Sequence, residues 1–94
     1  MKTNDYQKAL LKDLQDPVEA REYLNAALEE NDPALFLLAL RNVAEARGGM
    51  QKVAAMAHLN RENLYRMLSQ KGNPEFYSLK SLIQALGLKL AIQS

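Results

Sequence analysis

Hydrogen-bonding side chains are concentrated in one short segment of the second half of the chain. They are Arg61, Glu62, Asn63, Tyr65, Arg66 and Gln70. An α-helix fits the B-DNA major groove, where arginine can bond guanine and asparagine can bond adenine, each through two hydrogen bonds. If Leu64, Met67 and Leu68 turn inward, a helix here presents the polar side chains on its outer face. The segment therefore predicts a DNA recognition helix, with Arg61 and Asn63 as candidate base contacts.

Other basic and polar side chains flank this segment and are predicted to contact phosphates rather than bases. They are Lys52, Lys71, Asn73 and Lys80. Net charge supports this placement. Residues 1–40 hold four Lys/Arg against eight Asp/Glu, a net charge of −4, while residues 41–94 hold eight against three, a net charge of +5. A basic half of this kind favours a polyanion, and an acidic half favours a basic partner.

Few residues could do other chemistry. The chain of 94 residues has no cysteine and one histidine, His58, whose neighbours Ala57 and Leu59 offer no second ligand or proton acceptor. We therefore expect no metal, no cofactor and no enzymatic activity. The absence of cysteine, of a long apolar run and of an apolar stretch after Met1 predicts a cytoplasmic protein without a membrane segment.

Two Asp-Pro pairs mark helix starts. Asp16 and Asp32 can each cap a helix that begins with the following proline, and Glu19 would reach back to Asp16 in a capping box. The first of these helices should run to about Glu30, and the second should end at the paired glycines 48 and 49. An apolar stripe predicts a short helix before both. Its members are Tyr6, Leu10, Leu11 and Leu14.

Two short helices follow, separated by His58-Leu59-Asn60. Asn60 can cap the second of them, and the small side chains of Ala54 and Ala57 allow the two helices to cross closely. This pattern predicts a helix-turn-helix. A tight helical pair that serves only packing is the alternative, and the polar outer face and local positive charge favour DNA binding over it.

Ser78 is predicted to start a last helix that Gly87 ends. The tail after it alternates with period two, which predicts a short strand. Leu88, Leu90 and Ile92 share one face of that strand and need an apolar cover, so the tail is expected to help build a homodimer. A two-fold dimer would place two recognition helices on palindromic half-sites.

Several longer stretches resemble the Xre-like helix-turn-helix antidote (antitoxin) proteins of bacterial type II addiction modules, of the Hig-like kind. They are Tyr23 to Glu29, Asp32 to Leu40, Ala44 to Gly49, Asn60 to Arg66, Gly72 to Pro74 and Ala85 to Leu88. One residue departs from the family pattern. His58 stands where most such domains have glycine in the turn, and histidine tolerates a positive φ better than most side chains.

The resemblance implies an antitoxin that neutralises a RelE-like, mRNA-cleaving toxin and represses their common operon by binding operator DNA as a dimer. Its implied fold is all-α, a small bundle of five to six helices with a lambda-repressor-like helix-turn-helix and a short C-terminal strand. Residues 1–31 would form an acidic helical extension and residues 32–94 the DNA-binding domain. Candidate toxin anchors lie on the extension: Tyr6, Leu10, Leu14 and Tyr23.

Three alternatives stay open at this stage. An Xre-like transcriptional repressor without a toxin partner would explain the second half, but it would not need the acidic helices of the first. An interaction module that had lost DNA binding would be expected to lose Arg61, Asn63 and Arg66. The toxin could also extend a sheet from the C-terminal tail, which would leave the N-terminal helices structural.

Overall fold

Six helices make up the chain in the computed structural model, which describes the backbone of residues 2–93 and the side chains of residues 5–93. They are α1 (Lys2–Asp13), α2 (Pro17–Glu29), α3 (Pro33–Ala46), α4 (Met50–Met56), α5 (Arg61–Met67) and α6 (Phe76–Ala85). The predicted all-helical bundle is confirmed. Residues 1 and 94, which the predicted domain bounds include, lie outside the described residues. Among the described helices, none has the length and apolar content that crossing a bilayer requires.

The Asp-Pro pairs open α2 and α3 as predicted. The Asp16 carboxylate accepts a hydrogen bond from a backbone N–H two residues later at 3.0 Å, and the Asp32 carboxylate accepts two, at 3.1 and 3.3 Å. These bonds satisfy N–H groups that the first turn of a helix leaves without partners. The capping box expected for Glu19 was wrong, because the Asp16 N–H donates to the Asp13 carbonyl at 3.2 Å.

The paired glycines end α3, which confirms the predicted stop. Gly48 has a φ of +124°, a conformation that residues with a Cβ rarely adopt. The Gly49 N–H then turns back and donates to the Ala44 carbonyl at 3.0 Å. This bond satisfies one of the carbonyls that the helix end leaves open.

The last helix begins earlier than the sequence predicted. α6 starts at Phe76 rather than Ser78, with Glu75 at the N-cap position. Phe76 and Tyr77 are 62% and 79% exposed, so neither packs into the core. The Leu79 N–H donates to the Glu75 carbonyl at 3.0 Å, which adds this solvent-facing first turn to the helix.

The predicted C-terminal strand does not form within the described chain. Residues 88–93 have neither helix nor strand, and no strand occurs anywhere in residues 2–93. A strand is defined by its hydrogen-bonded ladder, and the described part of the chain supplies no second strand to pair with. The alternating pattern of the tail therefore lacks a partner in the single chain.

The core is continuous from α1 to α6. α3 packs against α1, α2 and α4, and α4 packs against α5 and α6. The α3 side chains of Leu40, Val43 and Ala44 are fully buried at its centre, while Leu14 and Leu24 extend the same cluster into the N-terminal part. Burial of this apolar surface is the main force that holds the helices together.

A hydrogen-bonded chain of side chains joins the first three helices. The Gln7 amide of α1 donates to Asn42 Oδ1 at 3.1 Å, and Asn42 Nδ2 donates to the Tyr23 hydroxyl of α2 at 2.8 Å. Asn42 is 9% exposed, so these bonds compensate for the water it loses. α1 and α2 are therefore attached to α3 by specific bonds as well as by apolar packing.

The close crossing of α4 and α5 gives a first prediction. Ala54 is 2% exposed, so Ala54→Leu should overpack the crossing and lower the free energy of unfolding by roughly 1–3 kcal/mol. Urea denaturation measures this loss. Ala55→Leu is the matched control, because Ala55 is exposed on the same helix, and it should change the free energy by less than about 0.5 kcal/mol. Equal effects of the two substitutions would contradict the close crossing.

Candidate nucleic-acid interface

α5 is positioned by a tight turn after α4 and by its own N-cap. His58 has a φ of +58°, and the Leu59 N–H donates to the Ala54 carbonyl at 2.8 Å. The predicted ability of His58 to occupy this turn is confirmed. Asn60 Oδ1 accepts from the N–H groups of Glu62 and Asn63 at 2.7 and 3.3 Å, so the predicted cap is confirmed too. Capping of this kind starts α5 at Arg61.

The burial pattern of α5 separates an inner and an outer face. Leu64 is fully buried and Met67 is 9% exposed, so both hold the helix against the core. All nine predicted site residues are exposed. They are Lys52, Arg61, Glu62, Asn63, Tyr65, Arg66, Gln70, Lys71 and Asn73. Lys80 on α6 is exposed as well.

Asn63 and Arg66 are linked on the outer face. Arg66 Nη2 donates to Asn63 Oδ1 one turn earlier, and the Arg66 carbonyl accepts from the Ser69 hydroxyl at 2.9 Å. The Asn63 oxygen keeps a second lone pair, and its NH₂ group keeps both donors. The amide is therefore oriented by Arg66 and still able to donate and accept, which is what a contact to adenine N7 and N6 requires.

A polar groove of about 650 Å³ lies between α5 and the start of α6. Asn63, Arg66, Lys71 and Asn73 line it, together with Glu75. The structure thus brings four of the predicted site residues to one concave surface. All four carry basic or amide groups, and they come from α5 and from the segment that follows it.

The remaining predicted residues lie elsewhere on the same half of the molecule. Lys52 is on α4, and its side chain lies close to Gly48: a Cβ added to that glycine would be only 2.8 Å from Lys52 Cδ. Gln70 lines a different groove, which it shares with Asp32 and Arg41. Glu62 is in the first turn of α5, and neither it nor Gln70 lines the groove of Asn63 and Arg66.

Arg41 also lies on this surface, although it is not among the site residues predicted from the sequence. Its guanidinium carbon lies 5.2 Å from the centre of the Tyr65 ring, and that of Arg61 lies 5.8 Å from the same centre. Both distances are in the range of cation–π attraction. One sequence feature could have pointed to Arg41 as a site residue, because it is the first residue of the basic half of the chain, residues 41–94.

The cations of this surface have no carboxylate partners in the part of the chain that the structure describes. The ion pair that the described residues form joins Arg21 and Glu22, which lie on α2 and outside this surface, at 3.4 Å. Arginine and lysine side chains without a paired carboxylate keep their charge available for an anionic ligand. Within the same described residues, no group of three or more His, Asp and Glu side chains is arranged to hold a metal ion.

Residues 4–94 match the model of a protein family described as "Probable addiction module antidote protein". The chain belongs to this family. A protein of Haemophilus influenzae (strain ATCC 51907 / DSM 11121 / KW20 / Rd), named only as uncharacterized, is 40% identical to it over 75 residues, which are 80% of this chain and 76% of the relative. No solved structure matches the chain. Membership supports the predicted antitoxin role and implies a toxin partner, while the Xre-like, Hig-like subtype stays a prediction.

The antidote uses most apolar side chains of its N-terminal helices in the core. Of the four predicted toxin anchors, Leu14 is buried, and Leu10 and Tyr23 pack partly buried against the core. Tyr6 is 73% exposed, and Val18 at the start of α2 is 51% exposed. A partner protein can therefore reach Tyr6 and Val18, and also Leu28 of α2, which is 51% exposed.

A second apolar surface of the antidote surrounds the C-terminal tail. A groove of about 350 Å³ lies between α2, α3 and the tail. Its apolar lining comes from Leu24, Leu28, Phe36, Ile83, Leu88 and Leu90. Ile92 lies beyond it and is fully exposed. Apolar side chains left open in this way are typical of a surface that another chain covers.

Proposed function

We propose that this antidote neutralises a RelE-like, mRNA-cleaving toxin and represses the operon of the two proteins by binding operator DNA as a dimer. The observation that carries the proposal is the outer face of α5, where Arg61, Asn63 and Arg66 are exposed and neither arginine is paired with a carboxylate among the described residues. Those side chains have the donors and acceptors that base edges in the major groove require. In this reading, α4 and α5 act as a helix-turn-helix.

The dimensions of α5 suit this role. An α-helix with its side chains is roughly 10–12 Å across, which matches a major groove roughly 12 Å wide. The groove between α5 and α6 would then lie beside the DNA backbone, with Lys71 and Asn73 at phosphates. Phosphate contacts of this kind set the register of the helix on the duplex.

The acidic N-terminal part supplies a different surface for the toxin. An RNA-cleaving toxin is expected to be basic, and residues 1–40 carry a net charge of −4. Opposite charges speed the encounter of two proteins, whereas affinity comes mainly from a few buried apolar anchors. Tyr6 and Val18 are exposed apolar side chains of this part that can act as anchors, and unlike the equally exposed Leu28 they lie outside the groove of the C-terminal tail.

Measurements on the unaltered chain test the two halves of the proposal separately. DNA from upstream of its own gene should bind roughly a thousandfold more tightly than scrambled DNA of equal length at the same salt concentration. Co-expression with the neighbouring reading frame should restore growth that this frame alone arrests. Equal binding to scrambled DNA would refute operator recognition. Specific DNA binding without growth rescue would instead favour a repressor that has no toxin partner.

We expect the C-terminal tail to form the dimer interface. The tail of a second copy of the chain can pair with residues 88–93 through the backbone hydrogen bonds that a strand requires. It can also cover Ile92, which is fully exposed in the single chain. Ile92→Asp should therefore weaken the dimer at least about tenfold, since burying one such side chain is worth roughly 1.5–3 kcal/mol. Sedimentation equilibrium gives the dissociation constant.

Ala91→Asp is the matched control for the dimer. Ala91 is also exposed and one residue away, so in a strand it points to the opposite side from Ile92. It should leave the dimer intact. A dimer that survives Ile92→Asp would place the interface outside the tail.

A further inference from the structure

Two arginines from different helices meet at one aromatic ring beside the proposed operator surface. Arg41 comes from the third turn of α3, and Arg61 is the first residue of α5. Their guanidinium carbons lie 5.2 and 5.8 Å from the centre of the Tyr65 ring. Tyr65 is 37% exposed, so a ligand in solution can reach the ring that the two cations share.

The charges at this ring are not balanced within the described part of the chain. Glu45 lines the same groove as Arg41 and Tyr65, yet no ion pair joins it to Arg41, and none joins Glu62 to Arg61. The negative face of the ring attracts both guanidinium groups, but the ring carries no net charge and leaves both positive charges in place. A phosphate within reach of both groups would neutralise them.

Hydrogen bonds connect the residues around the ring to three helices. Gln7 and Asn42 line the same groove, and their mutual hydrogen bond belongs to the chain that ties α1, α2 and α3 together. Leu38, 52% exposed, adds apolar surface over which the aliphatic part of Arg41 can lie. The backbone that carries Arg41 is thus held in place before any ligand arrives.

We infer that Arg41 and Arg61 bind a phosphate group of the DNA backbone, and that Tyr65 is the positioning residue that holds the two guanidinium groups toward it. Guanidinium groups match the oxygens of a phosphate through paired hydrogen bonds, and they also stack on aromatic faces. The inference rests on the proposed function and refines it. Arg61 becomes a phosphate contact rather than a base contact, and Arg41 joins the interface from α3.

Salt dependence of DNA binding tests the site. Loss of one phosphate contact lowers the slope of log affinity against log salt concentration by about 0.9. Arg41→Ala should do so on operator and scrambled DNA alike, with an affinity loss of roughly fivefold to tenfold at 0.1 M salt. Arg61→Ala should behave in the same way. Lys12→Ala is the control, because it removes one exposed positive charge from α1 and should leave the slope unchanged.

Two substitutions of the ring separate positioning from general damage. Tyr65→Phe keeps the aromatic face, and the described residues give the Tyr65 hydroxyl no hydrogen bond, so wild-type binding is expected. Tyr65→Leu removes the face and should lower the slope by about 0.9 or more, because both arginines lose their support. Circular dichroism and the urea midpoint should be the same for both variants.

The outcomes distinguish the inference from the function on which it rests. A wild-type chain that binds no DNA overturns both. DNA binding by the wild type with an unchanged slope in Arg41→Ala overturns the phosphate site alone. An Arg61→Ala variant that loses operator preference while keeping its slope would restore Arg61 to a base contact, and this would also overturn the inference.

Discussion

Asn63→Ala is expected to lower affinity for the operator by roughly fivefold to 150-fold, the 1–3 kcal/mol that a two-bond contact to a base contributes. Binding to scrambled DNA should hardly change, because an amide carries no charge to offer a phosphate. The structure favours Asn63 for this role, since Arg66 orients its amide and Asn60 holds the backbone beneath it. Fluorescence anisotropy with operator and scrambled duplexes at one salt concentration measures both affinities.

Lys71→Ala is the contrasting variant. Lys71 lines the same groove as Asn63 but lies beyond the end of α5, and we propose that it contacts a phosphate rather than a base. Its loss should weaken binding to both duplexes by a similar factor and reduce the salt dependence. If Asn63→Ala weakens both duplexes equally, or if Lys71→Ala changes only operator binding, the assignment of base and phosphate contacts is wrong.

Local signals were sufficient to predict the position of α5. The cap at Asn60, the turn at His58 and the inward Leu64 all depend on residues within about five positions, and chemistry of that range can be read from the order of the residues. The same holds for the Asp-Pro starts of α2 and α3. These local features are enough to predict that Arg61, Asn63 and Arg66 lie on the outer face of α5.

The features that the sequence analysis missed depend on packing between distant segments. Arg41 reaches the Tyr65 ring because α3 packs against α4, which in turn packs against α5, and no periodicity within α3 encodes that approach. Leu14 and Tyr23 were predicted as toxin anchors because they are apolar, yet their burial is decided by which helix faces meet. The unpaired tail has a similar cause, since a strand also requires a partner that lies elsewhere.

The core contacts of α1 and α2 decide how toxin binding can be tested. A chain beginning near Asp32 would lose Leu14, Ala20 and Leu24, which are buried in the common core. Removal of that much apolar surface would be expected to unfold the remainder. Substitutions of exposed side chains avoid this problem, and Tyr6 and Val18 are suited to it because neither is part of the core or of the tail groove.

The double variant Tyr6→Ala with Val18→Ala should lower affinity for the toxin at least about thirtyfold, the 2 kcal/mol or more that anchor residues contribute to an interface. Growth rescue in co-expression should fall with it. Asp13→Asn with Glu19→Gln should act differently, since exposed charges mainly set the rate of encounter. Association should slow at low salt and dissociation should stay the same. Stopped-flow kinetics with the purified toxin separates the two rates.

Tyr77→Ala supplies the matched control, because Tyr77 is a tyrosine of similar exposure, 79% against 73% for Tyr6, but lies on α6 in the basic half of the chain. It should bind toxin like the wild type. Ile92→Asp tests the competing arrangement, in which the toxin adds a strand to the tail. If Ile92→Asp abolishes toxin binding while the Tyr6 and Val18 variant keeps it, the toxin binds at the tail. The acidic helices would then serve the fold rather than the neutralisation.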